Sequence, residues 1–232
     1  MNNEIFKRVE KKYLLTETQY KELLEKANNH LEKDKYFKNT ICNIYFDTDN
    51  YDLIVESLEK PTYKLKVRLR SYNVPGVNDI VYLEIKNKYK GIVGKRRVKI
   101  SLNEFYEYLE TGKYPNCNKQ IMEEIDYFFK KYDLKPKLYL AYDRLSYYDK
   151  DNKNFRITFD QNIRSREEDL KLEYGDAGKL YFKDKTYIME LKTLDSLPLW
   201  FTKIINELKI YPTSFSKYGK IYIKNKKEEQ YV

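Results

Sequence analysis

Lys64-Leu65-Lys66-Val67-Arg68-Leu69-Arg70 is the stretch that decides the reading of this chain. Four cations alternate with three aliphatic residues. A β-strand sends successive side chains to opposite faces, so this strand presents one cationic face and one apolar face. The pattern recurs. In Val81-Tyr82-Leu83-Glu84-Ile85-Lys86-Asn87-Lys88, the two lysines share a face with Glu84. Lys95, Arg97 and Lys99 alternate in the next segment, Arg156 and Thr158 share a face, and so do Glu190 and Lys192. Charges along one side of many strands imply a barrel with a polar, basic interior, which suits a polyanion.

Composition agrees with a folded, anion-seeking protein. The 232 residues fit one large domain, taken here as 1–232, and 41% hydrophobic residues supply a core. Charged residues make up 35%, but they are interleaved with apolar ones, so disorder is not indicated. The excess of 45 Lys+Arg over 36 Asp+Glu gives a formal charge of +9, which favours anionic partners. A lysine-rich surface accounts for part of that excess. The 25 tyrosines accompany an abundance of Lys, Asn and Ile and are no sign of base stacking.

Cys42 and Cys117 have neither metal-ligand spacing nor a disulfide framework, which points to a reducing compartment. Cys42 alternates with Ile44 and Phe46 and reads as core. The single histidine, His30, falls near a predicted helix end, so serine–histidine and cysteine–histidine mechanisms lack support. No run of 18 apolar residues occurs and the N-terminus is charged. The expectation is a cytoplasmic protein with no membrane span.

Strands are expected at 5–14, 40–46, 63–71, 80–88, 92–100, 137–148, 154–160, 179–182 and 186–193. Thr16 with Gln19 and Ser101 with Glu104 form capping boxes that open helices to about 29 and 110. Further helices are expected at 53–58, at 118–131 and from Pro198 to about 209, with a charged, frayed tail from about 224. Gly91 and Gly94 read as a loop between strands rather than a phosphate-binding loop. The whole is an α+β pattern dominated by antiparallel strands.

Glu10, Glu84 and Glu190 sit among the inward cations. Each reads first as an ion-pair partner, but carboxylates in a phosphate-filled cavity also hold Mg²⁺ or Mn²⁺. Arginines grip phosphate bidentately and lysines act as point charges. Phosphoryl transfer needs mainly positioning and charge neutralisation, so it can proceed without a histidine or an activated serine.

The ordered set Glu10-x-Lys12, Ile44-Tyr45-Phe46-Asp47-Thr48, Lys66-x-Arg68-x-Arg70, Glu84-x-Lys86, Lys95-Arg96-Arg97, Tyr142-Asp143-Arg144, Arg156-Ile157-Thr158-Phe159-Asp160, Glu190-Leu191-Lys192 and Ser214-Phe215-Ser216-Lys217-Tyr218 resembles the vacuolar transporter chaperone (VTC) domain. That family comprises polyphosphate polymerases of the triphosphate tunnel superfamily. The likeness runs from about Phe6 to Tyr218 and is closest to the short bacterial members. It implies an antiparallel tunnel barrel with helices packed around it. It also implies ATP and polyphosphate as substrates, Mn²⁺ or Mg²⁺ as cofactor, and transfer of the γ-phosphate of ATP to a growing chain. By match, Lys12, Arg68, Arg70, Lys86, Lys95, Arg144 and Arg156 hold phosphates, and Ser216 and Lys217 act near the terminal phosphates. Glu190 binds the metal, with Glu84 and Glu10 as further carboxylates. Lys66, Lys88, Arg97 and Lys192 are added as substrate contacts.

Tunnel hydrolases open with Glu-x-Glu-x-Lys, and here Arg8 takes the first glutamate position, which fits a polymerase better than a hydrolase. Two other functions stay open: a tunnel triphosphatase acting on inorganic triphosphate, a nucleotide or RNA ends, and a non-catalytic polyphosphate-binding module. Nucleic acid is not expected as a partner, because the cations are placed in a narrow cavity. A separate membrane protein that takes the product, at the membrane's inner face, remains open. The oligomeric state is not legible.

Overall fold

A computed structural model describes residues 9–59, 61–90, 92–194 and 196–230. The expected strand start at 5–8, with Phe6 and Arg8, and Gly91 lie outside the described residues. The elements in chain order are β1 (Val9–Thr16), α1 (Glu17–Lys26), β2 (Leu31–Asp47), α2 (Asp52–Leu58), β3 (Tyr63–Tyr72), β4 (Ile80–Tyr89) and β5 (Ile92–Ser101). There follow α3 (Leu102–Thr111), α4 (Lys119–Tyr132), β6 (Lys135–Asp149), β7 (Arg156–Arg166), β8 (Lys179–Leu180), β9 (Thr186–Thr193), α5 (Leu199–Glu207), β10 (Pro212–Thr213) and α6 (Lys217–Glu229).

The chain forms two compact units, and the long strands β2, β6 and β7 are shared between them by sequence. The first contains residues up to Asn39, Tyr142–Ile163 and Phe182–Phe215. Within it, β10 pairs with β1, β1 with β9 and β9 with β7, all antiparallel. Its core joins Tyr13, Leu15, Phe159 and Met189 from the strands to Leu23 of α1 and Phe201 of α5. The capping box at Thr16 and Gln19 forms as expected. His30 lies at the end of the turn after α1 and stacks on Trp200, with ring centroids 4.3 Å apart.

The second unit contains Thr40–Ala141, Arg164–Tyr181 and the residues from Ser216 onward. Here β2, β3, β4 and β5 pair consecutively and antiparallel, and β8 pairs with the end of β7. Leu65, Val67, Leu69, Leu83, Ile85, Val98 and Ile100 supply its core with Phe105 of α3 and Met122 and Ile125 of α4. Each fully buried aliphatic side chain of this kind contributes roughly 1.5–3 kcal/mol. That burial fixes the register, because a one-residue slip would send every apolar side chain to the wrong face. Cys42 is buried in this core, and the capping box at Ser101 and Glu104 forms.

The structure differs from the sequence reading at several ends. β2 starts at Leu31 rather than 40, because Glu32, Lys33, Lys35 and Tyr36 are exposed and show no alternation. Gly94 is not in a loop: it sits within β5, opposite Asn87, whose Oδ1 lies 2.2 Å from where a Cβ would be. The expected strand at 179–182 is only two residues long. The charged tail from about 224 continues α6 and is helical through Glu229.

Candidate functional site

In the second unit, strand register stacks the polar face into rungs. One rung is Tyr45, Arg68, Glu84 and Arg97, and the next is Lys66, Lys86 and Lys95. On the other side lies the rung of Asn43, Arg70, Tyr82 and Lys99. Lys88 stands opposite Lys64 and is exposed. Arg96 points to the helix-covered face and pairs with Glu124 at 2.7 Å.

Glu84 is the centre of this cluster and is 1% exposed. Its Oε2 accepts from Arg68 Nε at 2.8 Å and lies 2.8 Å from Arg68 Nη2. Lys95 Nζ is 2.6 Å from Oε1, while Arg70 and Arg97 stand at 3.9 Å. Burial pushes the Glu84 carboxyl up, but Arg68, Arg70 and Lys95 outweigh it and hold the group down at about 2. Lys95 keeps 40% of its side chain exposed. Partial withdrawal of its ammonium from water, together with Arg70 and Arg68, outweighs Glu84 and lowers it to about 8.

Other side chains orient these cations. Arg70 Nε donates to Asn43 Oδ1 at 2.9 Å, and Asn43 Nδ2 donates to the Leu140 carbonyl at 3.0 Å. Arg68 Nη1 donates to the Tyr45 hydroxyl at 3.2 Å. Ser216 caps α6 by accepting from the Gly219 amide, and it also accepts from Lys66 Nζ at 2.8 Å. Lys217 is the first residue of α6 and is half-buried.

The first unit carries its own polar face. One rung runs Thr213, Lys12, Glu190 and Thr158, and the next runs Glu10, Lys192 and Arg156. Glu10, Lys12, Glu190 and Lys192 thus form a checkerboard of alternating charge. Lys192 Nζ is 2.9 Å from Glu190 Oε1, and Lys12 Nζ is 3.7 Å from Glu10 Oε1. Lys12 also donates to the Phe215 carbonyl at 3.2 Å. Burial alone would raise the Glu190 carboxyl, but Lys192, Arg144 and Lys12 keep it firmly ionised. Arg144 is clamped by buried Asp160, with Nε at 2.6 Å and Nη2 at 2.8 Å from the two carboxylate oxygens. Arg156 is exposed.

A hard divalent ion fits the first unit better than the second. Glu190 is ionised, Glu10 lies diagonally from it, and the buried Thr158 Oγ1 in the same rung has no hydrogen-bond partner among the described residues. Glu84 is ringed by cations as Glu190 is, but the rungs beside it carry no second carboxylate. Among the described residues no group of three or more His, Cys, Asp or Glu gathers around one point. An ion held by one or two carboxylates and shared with phosphate oxygens is the pattern usual for Mg²⁺.

The structure therefore places Lys66, Arg68, Arg70, Lys86, Lys95, Arg97 and Ser216 in one neighbourhood. It places Lys12, Arg144, Glu10, Glu190, Lys192 and Arg156 on the polar face of the other unit. Tyr45, Asn43, Thr158 and Asp160 had no assigned role in the sequence reading. Tyr45, Asn43 and Thr158 stand opposite Arg68, Arg70 and Glu190 on paired strands, and Asp160 meets Arg144 across the sequence; these pairings were the missing signal, and they need the register to be seen.

A family model described as the VTC domain matches residues 7–224. Among solved structures, a candidate adenylate cyclase from Bacillus halodurans aligns with a TM-score of 0.54 at 15% identity, over 90% of this chain and 93% of that one. The PH1819 protein of Pyrococcus horikoshii aligns with a TM-score of 0.50 at 17% identity, over 94% of this chain and 99% of that one. No curated protein sequence matches the chain. At such identities the likeness speaks for the fold, which is the α+β triphosphate tunnel fold. No helix among the described residues is long and apolar enough to cross a membrane.

Proposed function

The chain belongs to the VTC domain family, and from that premise we propose that it is an ATP-dependent polyphosphate polymerase. The observation that carries the reading is the rung of Lys66, Lys86 and Lys95, three lysines directly opposite one another on consecutive strands. Like charges so placed destabilise a sheet. An oligophosphate, with closely spaced negative charges, offsets that repulsion.

The chemistry asked of the protein is modest. A terminal phosphate oxygen of the growing chain attacks the γ-phosphorus of ATP, one P–O bond forms, the bond to the β-phosphate bridging oxygen breaks, and ADP leaves. The attacking oxygen is ionised at neutral pH, so no general base is required. Positioning and charge neutralisation dominate. Arg68, Arg70, Lys86 and Lys95 hold phosphoryl oxygens in one unit, with Lys66, Lys88 and Arg97 adding charge. Lys12, Arg144 and Arg156 do so in the other, with Lys192. Ser216 and Lys217 contribute a hydroxyl and an ammonium at the start of α6. Glu84 serves as the anchor that arrays the cations rather than as a metal ligand.

Glu190 and Glu10 would hold Mn²⁺ or Mg²⁺, which when bound would supply charge neutralisation for the phosphates. The reading treats 1–232 as one functional domain in the cytoplasm, where ATP is abundant, with a separate membrane protein receiving the product. Purified protein incubated with ATP and Mn²⁺ tests it. Long-chain polyphosphate with matching ADP is expected. Orthophosphate without polymer would select the triphosphatase, and tight polyphosphate binding without turnover would select a binding module.

A further inference from the structure

Tyr45 has no role in the preceding account beyond its contact with Arg68. It stands directly opposite Arg68 in the β2–β3 register and is 7% exposed. Its ring stacks on Tyr218, with centroids 4.6 Å apart and planes inclined by 24°. Tyr218 is itself fixed by a hydrogen bond to Asp47, so the Tyr45 ring has little freedom. The hydroxyl oxygen accepts from Arg68 Nη1 at 3.2 Å, while the hydroxyl proton has no acceptor among the described residues. A buried donor without an acceptor is costly and calls for an explanation.

We infer that Tyr45 is a phosphate ligand in its own right, donating its hydroxyl proton to a phosphoryl oxygen that Arg68 also grips. Arg68 directs Nε and Nη2 to Glu84 and Nη1 to Tyr45, so an oxyanion approaching Nη1 meets the phenol beside it. The surroundings strengthen the donor. Burial raises the phenol, but Arg68, Arg70 and Lys66 outweigh burial and bring it down to about 8. At neutral pH it still carries its proton and donates strongly. The inference rests on the phosphate reading of the cluster and adds a ligand to it.

Calorimetric titration of the full chain with inorganic tripolyphosphate at neutral pH tests it. Tyr45→Phe keeps the ring and its stack on Tyr218 and is expected to weaken binding about tenfold. The same substitution in an Arg68→Lys background is expected to weaken binding by a similar factor. An unchanged affinity in Tyr45→Phe overturns the inference. So does a loss that vanishes in the Arg68→Lys background, because Tyr45 would then act only by positioning Arg68. If wild-type protein fails to bind tripolyphosphate, the phosphate reading of the cluster falls first. A 3-fluorotyrosine at position 45 supplies a readout that does not depend on the stability of Tyr45→Phe. Its fluorine resonance should move on addition of tripolyphosphate, and a fixed resonance in protein that binds the anion contradicts the assignment.

Discussion

Tyr218 donates its hydroxyl proton to Asp47 Oδ2 at 2.9 Å, and both residues are buried. The same carboxylate accepts from the amides of Leu53 at 2.9 Å, Ile54 at 3.1 Å and Thr48 at 2.9 Å. Tyr51, the residue before α2, has a φ of 62° and supplies no side-chain cap. Asp47 thus caps α2 from a distance and tethers α6. The close approach of the two helices also explains Gly219, where a Cβ would lie 3.0 Å from Leu58 Cδ2.

Asp47→Ala should therefore destabilise the protein by about 3 kcal/mol, since it removes a cap and orphans a buried hydroxyl. Tyr218→Phe should cost about 1 kcal/mol. Urea unfolding of the two variants checks the ranking, and equal effects would deny Asp47 its capping role.

Glu84 sets an acid limit on stability. Its folded-state pKa, near 2, lies below its unfolded value, near 4.5. Its contribution is thus complete above about 4.5 and is lost as the pH falls from there toward 2. The span corresponds to roughly 3 kcal/mol. Glu84→Gln should flatten that part of the stability–pH curve and lower stability at pH 7 by a similar amount. Tripolyphosphate should recover part of the loss by replacing the missing negative charge. Denaturant melts across pH measure both effects, and an undiminished acid slope in the variant would show that another group carries it.

Arg68 and Arg144 should separate. Arg68→Ala is expected to weaken tripolyphosphate binding by about 1–3 kcal/mol. Arg144→Ala removes the bidentate partner of Asp160, which is 0% exposed, and should unfold the protein more readily by about 3–5 kcal/mol. Melting curves and calorimetry on the same samples distinguish the two. Arg144→Ala should lose affinity as well as stability, and a variant as stable as wild type would show that the Asp160 clamp does not hold the fold together.

Much of the fold was legible because period-two alternation is hard to satisfy otherwise. Lys64 to Arg70 announced a two-faced strand, and the capping boxes at Thr16 and Ser101 marked helix starts. What stayed hidden depends on pairing across the sequence. Nothing local says that Glu84 falls opposite Arg68 and Arg97, or that Asp160 clamps Arg144. Tyr45 was legible as a motif residue, yet its neighbours Ile44 and Phe46 make the stretch read as core. The start of β2 was missed because Glu32, Lys33, Lys35 and Tyr36 face solvent without alternating, so burial left no pattern to read.

Glu190→Ala should reduce metal-dependent turnover about 10²-fold, and because it takes a buried carboxylate from beside Lys192 it should also lower stability by about 3 kcal/mol. Full turnover in this variant would remove Glu190 from the metal site.

The central claim concerns where the γ-phosphate goes. Purified protein should be given ATP labelled at either the γ- or the α-phosphate, with Mn²⁺, and the acid-insoluble polymer counted. The account predicts γ-label in the polymer and α-label wholly in ADP. γ-Label released as orthophosphate, with none in polymer, would contradict it.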